Sequence, residues 1–216
     1  MLITQRFLLS HVAVFCFVLS QTAVVPAALV RTVMLSGDQA PGTAAGVSFV
    51  DAANLMSPGL NSTGRAVFTS DLTGPGVDGS NRTGLWSEGG GGGLSLIARE
   101  GSQAPDTVGG VFFGDFTFTP LPLSLNSAGQ TVFKARVGGL GVTSSNDDGI
   151  WSEGGGGGLA LLAREGDQAP DTPVGVNFGS LPVSSHLALN DAGQTVFKAN
   201  LTGTGITPGN NDFGIW

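Results

Sequence analysis

Three tryptophans set the frame for this chain. Trp86, Trp151 and Trp216 stand 65 residues apart, and their surroundings return at the same interval. Gly84-Leu85-Trp86-Ser87-Glu88 reappears as Gly149-Ile150-Trp151-Ser152-Glu153, and again as Gly214-Ile215-Trp216. Glycines fill 89–93 and 154–158, and the stretches 94–101 and 159–166 that follow differ at two positions. Gln-Ala-Pro stands at 39–41, 103–105 and 168–170, and Asn-x-x-Gly-x-x-x-Phe at 61–68, 126–133 and 190–197. Landmarks in fixed order at a fixed period mark one copied supersecondary unit, which buries its apolar face by stacking on the next copy. The units run 37–101, 102–166 and 167–216, the last incomplete.

Each unit reads as four short strands. In the third, 185–190 alternates with Leu187 and Leu189 on one face, and 191–194 is a turn. Residues 195–201 alternate again, with Phe197, Ala199 and Leu201 opposed to Lys198 and Asn200. A polar loop leads to Gly-Ile-Trp, and in the middle unit the glycine run turns back into 159–164. The stretch 166–184, with its Gln-Ala-Pro, reads as a connection between sheets. No segment after the first thirty residues keeps helical periodicity, so the chain is all-β. Four antiparallel strands at constant period describe a propeller blade, although 65 residues exceeds the roughly 40–50 of familiar blades. Coils of a β-solenoid are shorter, and isolated 65-residue modules without cysteine would bury too little surface.

The expected fold is therefore a tandem of propeller-like four-stranded antiparallel units forming an incomplete ring. Residues 30–37 align with 95–101, the fourth strand of a unit, while Trp216 lies on a third strand. An N-terminal strand would then latch the final blade. Three blades fall below the four to eight of closed rings. Two readings stay open: two chains form a six-bladed homo-oligomeric ring, or the chain is a truncated product.

Residues 1–27 carry the grammar of a secretory signal peptide: Arg6, an apolar run over 7–19, then Val25-Pro26-Ala27. The run is too short to span a bilayer, so no membrane span is expected in the mature chain, 28–216. The expected location is secreted or cell-surface, extracellular or periplasmic. Cys16 lies inside the run after Phe15, where a lipoprotein signal needs a small residue, so the mature β-repeat domain holds no disulfide. Formal net charge is −7, from 9 Lys and Arg against 16 Asp and Glu, and no segment concentrates base. Nucleic acid is excluded as a partner, since its phosphates demand a cationic face.

The Asn-x-x-Gly-x-x-x-Phe element (Asn61/Gly64/Phe68, Asn126/Gly129/Phe133, Asn190/Gly193/Phe197) resembles the signature of uncharacterised bacterial exported tandem-repeat proteins with varied C-terminal anchors. The Ala-Arg-Glu-Gly, Gln-Ala-Pro and Gly-Ile-Trp stretches fit the same resemblance, which covers about 30–216. It implies export and a propeller-like repeat, and brings no activity with it.

No residue pattern assembles a catalytic site. The glycine runs lack the Gly-Lys-Ser/Thr and following helix of a phosphate loop, and read as hairpin tips. Asn146-Asp147-Asp148-Gly149 and Asn210–Gly214 gather oxygens as calcium loops do, but without EF-hand spacing, and the first unit places Arg82 there. Arg99-Glu100, Arg164-Glu165, Glu88 and Glu153 recur once per unit, which argues for structural duty such as Arg–carboxylate ties, with Asp148 opposite Arg164 and Thr83 opposite Arg99. The tryptophans read as packing against the adjacent blade rather than as sugar platforms. His186 has no triad partner by spacing. Asn61, Asn81 and Asn200 head glycosylation sequons that matter only in a eukaryotic secretory path. Catalytic residues, cofactors and metals are therefore expected to be none. The expected function is a non-enzymatic exported scaffold that binds protein or polysaccharide. The alternative is a secreted hydrolase or lyase acting on polysaccharide, which a concentration of unrepeated Asp, Glu or His would favour.

Overall fold

The computed structural model describes residues 30–50, 58–89, 91–114, 116, 123–181 and 187–216. The expected signal peptide with Cys16, and His186, lie outside the described residues. Thr32–Trp216 forms one unit by its own contacts, separate from Met1–Arg31, and only the former is described below. Its described residues are β-strands and turns, with no helix among them. Accordingly no helix there is long and apolar enough to cross a membrane.

Three antiparallel sheets follow one another along the chain. The first contains β1 (Ser48–Phe49), β2 (Gly59–Leu60), β3 (Ala66–Thr73), β4 (Thr83–Ser87) and β5 (Ser95–Arg99). The second contains β6 (Val111–Phe113), β7 (Leu123–Leu125), β8 (Thr131–Gly139), β9 (Asp148–Ser152) and β10 (Ala160–Arg164). The third contains β11 (Val176–Phe178), β12 (Leu187–Leu189), β13 (Thr195–Gly203) and β14 (Phe213–Ile215). In the first sheet β1 pairs with Leu72–Thr73 and β2 with Ala66–Val67, sharing the edge of β3 opposite β4. Five strands thus fill four positions. The strand that sequence reading omits (β1, β6, β11) lies in the stretch assigned there to a connection. It forms because a short segment ending in Phe49, Phe113 or Phe178 turns its aromatic ring inward and is bridged to the Gln of the preceding Gln-Ala-Pro (Gln39 to Ser48, Gln103 to Phe112, Gln168 to Asn177).

Each sheet has an aromatic face and an aliphatic face, since side chains alternate along a strand. Trp86 meets Phe49 edge-on at 4.9 Å and stacks with Phe68 at 6.4 Å. Trp151 does the same with Phe113 (4.9 Å) and Phe133 (6.3 Å), and Trp216 with Phe178 (4.9 Å) and Phe197 (6.1 Å). The indole N–H of each donates to a proline carbonyl of its own Gln-Ala-Pro segment: Pro41 at 3.1 Å, Pro105 at 3.1 Å and Pro170 at 3.3 Å. A buried indole needs such an acceptor, and the aromatic pairs add about 0.5–1.5 kcal/mol each beyond burial.

Sheets pack face to face. Val67, Leu85 and Ala98 of the first join Phe113, Phe133, Ala135, Val137 and Trp151 of the second in one core. Val132, Ile150 and Ala163, on the other face of the second sheet, join Phe178, Leu189, Phe197 and Ala199 of the third. Inserted beneath the second and third sheets are Phe116 and Leu181, both nearly inaccessible. Trp151 and Trp216 therefore share a core with the preceding sheet as well as with phenylalanines of their own unit, whereas Trp86 packs within its own unit.

The Asn and Gly of the recurring motif tie sheet to sheet. Asn61 Nδ2 donates to the Asn126 carbonyl at 2.8 Å, and Asn126 Nδ2 to the Asn190 carbonyl at 2.8 Å. Each Asn Oδ1 meanwhile accepts amides of its own turn, from Arg65 (2.9 Å), Gln130 (2.8 Å) and Gln194 (2.9 Å). Gly129 has φ +89°, and a Cβ there would stand 2.0 Å from the Gly89 carbonyl oxygen. Gly193 meets Gly154 in the same way at 2.1 Å. Gly129 and Gly193 thus serve both a left-handed turn and a backbone contact with the preceding unit.

Candidate functional site

The recurring ionisable groups are spent on backbone. Glu88 Oε2 accepts the Ala66 amide at 2.8 Å, and Glu153 Oε2 accepts the Thr131 amide at 3.0 Å and hydroxyl at 2.6 Å. Arg99 Nε donates to the Asn81 carbonyl and Arg164 Nε to the Asn146 carbonyl, each at 2.8 Å. The expected opposition of Asp148 to Arg164 and of Thr83 to Arg99 is not what forms. Arg164 pairs with Gly149 and Arg99 with Gly84, because a bulge in each hairpin shifts the register by one. The ties are arginine to carbonyl.

The Asn/Asp loops brace themselves. Asn81, Asn146 and Asn211 accept the amides of Asp78 (3.0 Å), Thr143 (2.7 Å) and Thr207 (2.7 Å). Their Nδ2 groups donate to the carbonyls of Gly76, Gly141 and Gly205. Asp212 Oδ2 accepts the Gly209 amide at 2.9 Å. These are turn-closing bonds of the kind Asn and Asp make with their own backbone. Of the sequon residues, Asn61 is buried and committed to the inter-sheet ladder.

One cluster does not recur. It sits at the second sheet, where Arg136 of β8 directly opposes Asp148 of β9 and Lys134 lies two residues back on the same face. Lys134 is 5% exposed. Its Nζ stands 2.7 Å from Asp148 Oδ2 and donates a short bond to the Leu181 carbonyl of the third unit. Arg136 Nε approaches Asp148 Oδ1 at 3.7 Å and Asp147 Oδ2 at 3.9 Å. Glu165, just past β10, completes the group: carboxylate oxygens of Asp147, Asp148 and Glu165 lie within 4.8 Å of one another. Burial, then the charges of Asp148 and Asp147, raise the Glu165 carboxyl above its ordinary value, with Lys134 opposing.

The first unit shows why Glu165 is left in this state. Its counterpart Glu100 accepts the Arg82 amide, the Thr83 amide and the Thr83 hydroxyl, all at 3.1 Å. Aspartate in place of Thr83 removes the hydroxyl donor and adds a like charge. In the third unit Phe213 stands at the Asp148 position, and Lys198 lies over its ring at 4.4 Å. As a metal site the second-unit cluster fits poorly. A hard cation takes six to eight oxygens, whereas here an ammonium already pairs with one carboxylate and a guanidinium approaches two. The arrangement is an ion-pair network with a carboxyl of raised pKa beside it.

Sequence reading missed this cluster, because Lys134, Asp148 and Glu165 come from three separated segments. It also missed what Gln-Ala-Pro does. Gln39, Gln103 and Gln168 each accept an amide seven residues on (Gly46, Gly110, Gly175) and donate Nε2 to a threonine hydroxyl four residues on. The signal for it was in plain view as a recurring Gln-Ala-Pro-x-Thr. A pocket of about 350 Å³ opens beside Trp216, lined by Pro170, Phe178, Phe197, Leu162 and Ser152 among others. In the second unit Leu161 pairs with Trp151, and Leu159 and Leu161 pack on its core.

No curated protein and no solved structure matches the chain. A model of a family of unknown function, DUF7453, matches residues 18–216. The chain, matched over nearly its whole length, belongs to that family.

Proposed function

We propose that this protein is a non-enzymatic exported scaffold of propeller-like repeat units, which presents its loops to a protein or polysaccharide ligand. The observation that carries the reading is how the polar groups are used. Glu88, Glu100, Glu153, Arg99 and Arg164 close turns and hairpins with backbone partners, and the indoles of Trp86 and Trp151 are fully buried. Groups so engaged hold shape and offer no free nucleophile or base. Antiparallel sheets, four positions wide in the first two units, that follow one another and stack face to face support the propeller-like form, and the signal-like sequence over 1–27 supports export. The polypeptide then supplies a rigid frame whose variation lies in its loop tips. A glycan array and a protein-ligand screen on the purified chain test this: saturable binding that survives Glu165→Gln supports it, and absence of any binder removes it.

The second reading, a polysaccharide hydrolase or lyase, is favoured by the unrepeated Asp147–Asp148–Glu165 group. A carboxyl of raised pKa beside other carboxyl groups is the setting of a general acid. Against it, Lys134 and Arg136 already engage the two aspartates. Turnover of any polysaccharide, abolished by Glu165→Gln with the fold intact, would establish it over the scaffold.

A further inference from the structure

In register, Glu165 stands where Glu100 does in the first unit, and Asp147 and Asp148 stand where Arg82 and Thr83 do. The backbone frame is the same: Glu100 N–H donates to the Thr83 carbonyl and Glu165 N–H to the Asp148 carbonyl, each at 2.9 Å. Within that frame the first unit joins its two side chains. The Thr83 hydroxyl donates to Glu100 Oε2 at 3.1 Å, with the Arg82 and Thr83 amides on the same oxygen. In the second unit both side chains are carboxyls, and an ionised pair has no proton to donate. Asp148 shows the result. It is 8% exposed, and its Oδ1 is sealed from solvent without a hydrogen-bond donor, although Oδ2 meets Lys134.

Charge points the same way. Among the described residues, Glu165 is surrounded by Lys134 and Arg136 of β8, by Asp147 and by Asp148 of β9. Arg164 and Asp167 flank it along the chain, Arg164 being turned to the Asn146 carbonyl, and the third unit brings the Leu181 carbonyl onto Lys134. The carboxyls of Asp147, Asp148 and Glu165 thus meet two cations, Lys134 and Arg136, which leaves one negative charge in excess when all are ionised. An uncompensated charge in a half-buried group is destabilising, and one proton removes it.

We propose that this site binds a single proton, which Glu165 carries and donates to Asp148 Oδ1. The bond that Thr83 makes to Glu100 is then remade in the second unit with donor and acceptor exchanged. Solvent supplies the proton, Glu165 passes from carboxylate to carboxylic acid, and no other bond breaks. The remaining oxygen of Glu165 faces the amides of 147 and 148, the counterparts of those that Glu100 accepts. Asp147, the other aspartate within reach, has a side chain 26% exposed and meets water instead. Burial and then the two aspartates raise the Glu165 carboxyl, in keeping with this assignment. Because Lys134 joins Asp148 to the Leu181 carbonyl, the proton sits on the junction of the second and third units and tightens it in mild acid. The first junction, with Thr69 and Thr83 in place of the ion pair, is satisfied at Glu100 without one. The proposal does not depend on what the loops bind, so it stands or falls separately from the scaffold reading.

Thermal melts of the full chain from mild acid to neutral pH, in two backgrounds, test it. In the wild-type chain Glu165→Gln should raise the midpoint at neutral pH, since its amide supplies the missing donor without charge, and the gain should vanish in acid. Lys134→Thr with Asp148→Thr copies Thr69 and Thr83 into the second unit and gives Glu165 the donors of Glu100. In that background Glu165→Gln should lower the midpoint at neutral pH. A reversal of sign between backgrounds supports the proposal, because mere removal of a charge acts alike in both. The same sign in both, or a loss in the wild-type chain, overturns it. If the double variant does not fold, carbon-13 NMR of the wild-type side-chain carboxyls decides, with the Glu165 signal assigned by its loss in Glu165→Gln. Titration above the ordinary glutamate range supports the proposal, and titration within or below that range overturns it.

Discussion

At the scale of single residues, the most consequential side chains are those with no freedom left. Trp151 is inaccessible to solvent, contacts Phe113 and Phe133, and donates to Pro105. Trp151→Ala is expected to cost about 3–5 kcal/mol, the usual range for deleting a buried large aromatic, read as a fall in denaturant midpoint at unchanged m. Glu165 makes the opposite prediction. Its folded-state pKa lies above the unfolded value, so the folded protein binds the extra proton, and stability is lost as pH rises through the folded pKa. Glu165→Gln should therefore raise the melting temperature at neutral pH and leave it nearly unchanged well below pH 4.5. Asp191 shifts the other way, because the side chain and then the amide of Ser127 in the preceding unit bond its carboxylate. Asp191→Asn should have its effect above the ordinary Asp range and lose it in acid, as a pH series of thermal melts would show.

At the scale of elements, the glycines separate two costs that usually travel together. Gly64 has φ +78° with open space around it, whereas Gly129 has φ +89° and the Gly89 carbonyl against it. Gly64→Ala should cost about 1–2 kcal/mol, the strain of a left-handed alanine. Gly129→Ala should cost clearly more, since two backbones must part. Equilibrium unfolding of the pair measures the difference, and equal losses would refute the inter-sheet contact. Much of this level was legible beforehand. The period, the strand positions around Leu187, Phe197 and Trp151, and the positive φ of Gly193 follow from alternation and turn chemistry. Three things were not. β6 and β11 are three residues long, too short for a pattern of alternation to declare itself. A bulge moves Arg164 onto Gly149, and no local rule in the hairpin sequence foretells it. The Lys134–Asp148–Glu165 group exists only once three strands are side by side.

At the scale of the whole molecule, the second sheet differs from the other two in being covered, among the described residues, on both faces by neighbouring sheets. In a stack held by neighbour contacts, the middle member carries two interfaces and resists opening most. Amides of 132–137 should exchange more slowly than those of 196–201 by roughly tenfold or more, the equivalent of one further interface worth about 1.4 kcal/mol. Hydrogen exchange followed by mass spectrometry resolves these segments. Exchange at a uniform rate in both would mean that the sheets open together.

The contact between Gly129 and Gly89 also sets a rule for how this architecture can drift over generations. Among the described glycines of each run, only the one at the root touches the neighbouring backbone, while 91–93 stand exposed. Insertions and deletions at the tip leave the stacking undisturbed, so that hairpin is free to lengthen, shorten or accept foreign sequence. A graft placed after Gly91 inherits a rigid pedestal, and one placed at Gly89 pries two layers apart.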